Sequence, residues 1–198
     1  MKPKGAVDKK YLRKQIYKLN YAQWAFDNAR IAARFLHEEV KVMHGPLFYP
    51  LISSVCVMYS KPFTNNKTVG MLGGDFLKFP DETLKKTHDS LRHSRDFFYA
   101  HQNPEPKSLG LPGEPDEPLF RVVLNVSYQQ TPQGLARLTH AGFSLLNLRI
   151  EMMPHVIRLC ELQIDRAKNE MEKAVNLYFD GETPAAGPHW IDAGILLE

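Results

Sequence analysis

Residues 22–43 read AQWAFDNARIAARFLHEEVKVM, and this stretch decides the fold class. Its apolar stripe recurs three and four positions apart, at Ala22, Ala25, Ala29, Ala32, Leu36, Val40 and Met43. That spacing places the stripe on one face of an α-helix, and its alanines let a neighbouring helix approach closely. Because no proline or glycine occurs from Asp8 to Met43, one long helix is predicted over that range, ended by Gly45 and Pro46.

More apolar side chains lie beside that stripe and widen it. They are Tyr17, Tyr21, Trp24, Ile31 and Phe35. A helix with such a broad apolar surface is expected to pack on two sides.

The composition fits a folded protein of the cytoplasm. The chain has 198 residues, of which 43% are hydrophobic, and a formal net charge of +3. It is too apolar for a disordered chain, it lacks the run of about 18 apolar residues of a membrane span, and no secretory signal is visible. Cys56 and Cys160 fit small buried side chains of a reducing compartment. A cytoplasmic protein without membrane association is therefore predicted.

Two shorter helices are predicted next. One covers about Leu47 to Ser60, where apolar side chains point in nearly every direction, so this helix should be buried on most sides. The other begins at Asp81, a good N-cap, and continues to about His101. The connection between them, residues 61–80, has a length typical of functional or partly mobile segments.

The second half of the chain is predicted to contain one strand and one long helix. Phe120 to Tyr128 alternates in polarity and contains β-branched residues, which indicates a strand. Because a lone strand is unstable, its partner is expected in residues Thr68 to Leu72 or in a second protomer. Residues Thr131 to Phe179 are predicted to form a helix that Pro154 kinks or splits. The fold class is therefore all-α: an up-and-down helical bundle with a small β insertion and an irregular C-terminal tail.

No metal and no cofactor is predicted, because the relevant motifs are incomplete. Gly70–Gly74 lacks the lysine and the spacing of a phosphate-binding loop. His37 begins a segment like a zinc-protease helix, but Lys41 stands where the second histidine is required. Glu151 and His155 lie four apart on a helix, yet no second pair completes a di-metal bundle.

The segment LRHSRDFFYAH, residues 91–101, carries the candidate site. On a helix that turns about 100° per residue, Phe98 falls on the apolar stripe of Leu91. Arg95 and His101 then lie about 60° to either side of Phe98, roughly 9 Å apart along the axis. They straddle one face, and they converge only if the helix ends before His101 or if a two-fold partner contributes its own pair.

These two side chains suit the cleavage of RNA without a metal. His101 titrates near neutrality and can act as a general acid or base. Arg95 keeps its charge and offers a planar fork of donors to a phosphate whose charge rises in the transition state. RNA supplies its own nucleophile, the 2′-OH. On the residues alone, ordinary surface or capping roles for Arg95 and His101 stay open.

The string RDFFYAH, from Arg95 to His101, resembles the R-x(4–6)-H signature of the HEPN superfamily. In that signature a polar residue typically follows the arginine, here Asp96, and a small residue often precedes the histidine, here Ala100. The order of segments resembles the abortive-infection-like branch: a long first helix, a buried second helix, a loop, the motif helix and a long final helix. The resemblance covers residues 9–103 and, more loosely, the final helix.

The resemblance implies one HEPN-like helical domain over residues 1–180, with a β and loop insertion at about 103–130 and a tail over 181–198. It also implies a homodimer whose motif residues face a cleft at the interface. Many members are metal-independent endoribonucleases of toxin–antitoxin or phage-defence systems, so RNA and an antitoxin protein are the implied partners.

On this reading each site residue has an expected role. Catalysis is assigned to Arg95, His101 and Asp96, with Asp96 orienting its neighbours, and contacts to RNA to Arg92, His88 and Tyr99. Arg92 also fits a solvated position, and Tyr99 also fits the core. The alternative function is a non-catalytic helical module of the same fold that binds a nucleotide, RNA or a protein.

Overall fold

The computed structural model describes residues 8–40, 46–65, 70–96, 121–132, 134–144, 150–180, 187 and 191. Its regular elements are α1 (Lys9–Glu38), α2 (Phe48–Ser60), α3 (Glu82–Ser94), β1 (Arg121–Thr131), β2 (Gly134–Ser144) and α4 (Met153–Tyr178). The predicted all-α bundle with a small β insertion is confirmed. None of these helices combines the length and the apolar character needed to cross a bilayer.

The long first helix is present and supplies the centre of the bundle. The Asp8 carboxylate caps it by accepting a 2.9 Å hydrogen bond from the backbone N–H of Lys10. The alanine stripe is buried, and both α4 and α2 pack against α1. Packing on two sides is therefore confirmed, but Ile31 and Phe35, which were expected to widen the packed surface, are exposed. The helix ends at Glu38, five residues before the predicted end at Met43, and residues 41–45 lie outside the described part.

The core fills the space between α1, α2 and α4, with α3 packed against α2 and α4. Its largest fully buried side chains include Phe26, Leu36, Phe48, Ile52, Leu84, Leu91, Met153 and Leu159. Cys56 and Cys160 are free thiols within this core, as predicted. Burial raises the pKa of both thiols, so neither forms the thiolate that nucleophilic chemistry requires.

The predicted strand is present, but its partner was predicted wrongly. β1 pairs antiparallel with β2, in a register that runs from Arg121 opposite Ser144 to Thr131 opposite Gly134. The chain reverses at Gly134, whose φ of +120° is costly for other residues. The Thr131 hydroxyl donates a 2.7 Å hydrogen bond to the Gly134 carbonyl across this turn.

The last helix is shorter than predicted, because its expected first part is β2. α4 begins at Met153, so Pro154 lies in its first turn. The missing N–H of a proline costs little there. The predicted kink or split at Pro154 was therefore wrong.

The connection before α3 contains two 3₁₀ turns, Lys61–Phe63 and Gly74–Leu77. α3 then starts where predicted, because the Asp81 carboxylate accepts a 2.8 Å hydrogen bond from the backbone N–H of Leu84. The helix is regular to Ser94 and takes a π-helical turn at 95–96. The predicted continuation to His101 lies outside the described residues.

Candidate functional site

Arg95 lies at the C-terminal end of α3, at the edge of the core. Its backbone N–H bonds the carbonyls of Leu91 and Arg92, and Leu91, one turn earlier, is fully buried. The Arg95 side chain is 27% exposed. The guanidinium is thus half-buried beside the apolar stripe, the position that the helical spacing predicts for it.

The carboxylate of Asp96 holds that guanidinium. Nη1 of Arg95 lies 2.5 Å from Oδ1 of Asp96, and the Asp96 side chain is 47% exposed. A charge-assisted bond this short restricts the orientation of both groups. It uses one of the five guanidinium donors, so a bidentate bond from Arg95 to a phosphate is compatible with the pair.

Arg92 places a second cation one turn before Arg95. Its guanidinium carbon lies 5.9 Å from the centroid of the Phe63 ring, within the range of a cation–π interaction. Phe63 belongs to the 3₁₀ turn that follows α2. Both arginines sit at a helix C-terminus, where the helix dipole favours positive charge, so a purely structural role also accounts for their position.

His88 lies in the core, which corrects the expectation that it contacts RNA. The residue is 2% exposed, and its ring contacts Phe63 and Phe79, each with centroids 4.8 Å away. Burial, with a smaller contribution from the Arg92 charge, lowers the pKa of His88 to about 4. The imidazole is therefore neutral at pH 7 and offers no surface to a ligand.

A buried polar cluster under α3 was not predicted from the sequence. Nδ1 of His88 lies 2.7 Å from Oη of Tyr59. The fully buried Gln163 donates a 2.9 Å hydrogen bond from Nε2 to the Phe76 carbonyl, and burial raises the pKa of Tyr59 while Gln163 opposes that shift. The signal in the sequence was Gln163 itself, a polar residue at a core position of α4.

A second polar feature is an open cleft of about 470 Å³ between α1 and α4. Its lining is Gln23, Asp27, Arg30, Glu161, Ile164, Asp165 and Lys168. Nη2 of Arg30 lies 2.6 Å from Oδ1 of Asp27. Three acidic and two basic residues line the cleft, so its net charge does not favour a phosphate.

Part of the predicted site lies outside the residues that the structure describes. His101 and Tyr99 lie outside the described residues, so Arg95, Asp96 and Arg92 are the predicted site residues that it places near one another at a surface. Within the described ranges, no three His, Cys, Asp or Glu side chains are grouped as metal ligands. Comparisons with protein-family models, curated proteins and solved structures find no match for this chain.

Proposed function

We propose that the protein is a metal-independent endoribonuclease in which Arg95 and His101 carry the chemistry. The observation that carries the proposal is the Arg95–Asp96 pair at the C-terminal end of α3. It gives a fixed, half-buried cation next to a second cation, Arg92. The likeness of residues 95–101 to the HEPN signature supplies the second component, His101.

In the proposed reaction the RNA is cleaved by its own 2′-OH. The 2′-oxygen forms a bond to phosphorus, the bond from phosphorus to the 5′-oxygen breaks, and a 2′,3′-cyclic phosphate results. His101 in its protonated form gives a proton to the departing 5′-oxygen, and the proton of the 2′-OH passes to solvent. Arg95 donates hydrogen bonds to the phosphate oxygens, whose charge rises in the transition state.

The half-buried setting of Arg95 supports this role. Water screens charges less at a partly buried position than at an exposed one, so the guanidinium acts more strongly on a phosphate there. Asp96 also restricts its orientation before substrate arrives, which lowers the cost of ordering it. The proposed setting is a toxin–antitoxin or phage-defence system, with a homodimer that joins two motifs in one cleft and an antitoxin as partner.

The second candidate is a non-catalytic module of the same fold that binds RNA, a nucleotide or a protein. The same ion pair favours it, because the positive charge of Arg95 is already balanced by Asp96. In this case Arg95 terminates α3 and contributes to binding alone.

The experiment compares Arg95→Lys and His101→Ala with two matched controls on α4. Arg158→Lys changes another arginine that pairs with a carboxylate, since Nη2 of Arg158 lies 3.0 Å from Oδ2 of Asp81. His155→Ala changes an exposed histidine. Cleavage of single-stranded RNA is measured in EDTA, and growth on expression is measured for the same variants.

The proposed function predicts that His101→Ala lowers cleavage by about 10²–10⁴-fold. It predicts that Arg95→Lys does not retain activity, because an ammonium lacks the planar fork. Both controls should cleave like the wild type, and His101→Ala should relieve any toxicity. Full activity of His101→Ala contradicts the proposal, and RNA binding without cleavage by the wild type selects the second candidate.

A further inference from the structure

One face of α1 carries cations and aromatic rings in a single row. We call it the basic–aromatic stripe: Lys10, Lys14, Tyr17, Tyr21 and Trp24. The spacings of four, three, four and three residues place them on one side of the helix, over about 21 Å. All five lie outside the core, and the Trp24 side chain is 52% exposed.

The positive charge on the N-terminal half of α1 does not stabilise the helix. Five cations and no acidic residue occur from Lys9 to Phe26, and the first turn holds no acidic side chain. Cations near a helix N-terminus oppose its dipole and cost stability. Burial lowers the pKa of Lys18, and the neighbouring charge of Lys14 lowers it further.

Trp24 is the exposed ring of the stripe, and the partly buried Tyr21 packs beside it. The ring centroids of Tyr21 and Trp24 lie 5.8 Å apart with an angle of 35° between their planes. Although both were expected to widen a packing surface, more than half of Trp24 remains exposed. Exposed rings beside cations are what proteins use to stack successive bases of a single strand while binding its phosphates.

The cations continue from this stripe toward Arg95. Nζ of Lys61 lies 6.0 Å from the centroid of Trp24. Lys61 begins the 3₁₀ turn that ends with Phe63, and the Arg92 guanidinium lies over the Phe63 ring. Arg95 follows one turn later on α3. Lys61 and Arg92 therefore lie at the two ends of one short 3₁₀ turn, between Trp24 and the end of α3 that carries Arg95.

We propose that the basic–aromatic stripe binds single-stranded RNA and leads it over Lys61 to Arg95. The identity of the ligand rests on the proposed function, but binding is measured separately from cleavage. A second copy of the chain is a poorer occupant, because a two-fold contact through this face sets its cations against those of the other copy. Bases in a duplex are poorer ligands as well, since their faces are already stacked.

Binding is tested with the His101→Ala protein, which is not expected to cut its ligand, and a fluorescein-labelled oligouridylate. Fluorescence anisotropy over a salt series gives the affinity and its salt slope. Adding Trp24→Phe should preserve binding, because a ring remains, whereas Trp24→Leu should weaken it by about tenfold. Lys61→Gln should reduce the salt slope by about 0.7, the value for one phosphate contact on a single strand.

Lys85→Gln is the control, because Lys85 is exposed on α3 and its Nζ lies 3.3 Å from Oδ2 of Asp89. The affinity and the salt slope of this variant should equal those of the parent protein. The inference is overturned if Trp24→Leu binds as tightly as Trp24→Phe, or if duplex RNA binds as tightly as the single strand. It is also overturned if the protein binds phosphatidylserine vesicles and Trp24→Leu abolishes that association instead of RNA binding. The same holds if Trp24→Leu changes only the sedimentation coefficient, which would indicate a contact between copies of the chain. If the wild-type protein binds the single-stranded RNA but does not cleave it, the proposed function is contradicted and the inference stands.

Discussion

Oη of Tyr59 and Nδ1 of His88 lie 2.7 Å apart inside the core, where neither side chain is more than 2% exposed. This bond joins α2 to α3, the helix that carries Arg95. Tyr59→Phe leaves the buried imidazole nitrogen without this partner, so we expect the free energy of unfolding to fall by about 1–3 kcal/mol. Urea denaturation measures it, with Tyr11→Phe at a 57% exposed position as the unchanged control.

The depressed pKa of His88 predicts a loss of stability in mild acid. The folded value is about 4 and the ordinary value is 6.5. Between these, the unfolded chain takes up a proton that the folded chain does not, so stability falls as pH falls from 6.5 to 4. The loss attributable to His88 reaches about 3 kcal/mol.

Denaturation at several pH values measures this slope. In His88→Gln, the free energy of unfolding should lack the part of the pH dependence that His88 supplies, whatever the stability of the variant at pH 7. His155→Gln, at an exposed position, should keep that pH dependence. An identical slope in the wild type and His88→Gln would show that His88 does not titrate as the buried position requires.

The close packing of α1 predicts that its alanines cannot be enlarged. Ala29 is completely buried, so Ala29→Leu should displace its neighbours and cost about 1–3 kcal/mol. Asn20→Leu adds a similar side chain at an exposed position of the same helix and should change stability by less than about 0.5 kcal/mol. Equal stability of the two variants would refute close packing at Ala29.

Much of the fold could be predicted because periodicity reports burial directly. The alanine stripe of α1 and the alternation of β1 each have a period that matches one element. β2 was missed because residues such as Leu135, Ala136 and Arg137 also favour helix, and only backbone pairing with β1 decides their conformation. The sequence around Pro154 was equally ambiguous, because a proline is unfavourable in the middle of a helix but is tolerated in its first turn.

The candidate site was less predictable, because it depends on which helices become neighbours. His88 was expected to contact RNA, yet its ring packs against the aromatic side chains of Phe63 and Phe79 in the core. Trp24 was expected to pack, yet it remains half exposed. Asp96 was expected to orient its neighbours, but helical spacing alone did not indicate its contact with Arg95, since adjacent residues on a regular helix point about 100° apart.

The most direct test of the central claim is the chemistry of the product ends. One short RNA and its fully 2′-O-methylated copy are incubated with the wild-type protein in EDTA, and the products are analysed by mass spectrometry. The account predicts fragments that end in a 2′,3′-cyclic phosphate from the RNA and no cleavage of the methylated copy, because its 2′-oxygen cannot attack. Fragments with a 3′-hydroxyl and a 5′-phosphate, or cleavage of the methylated copy, would contradict it.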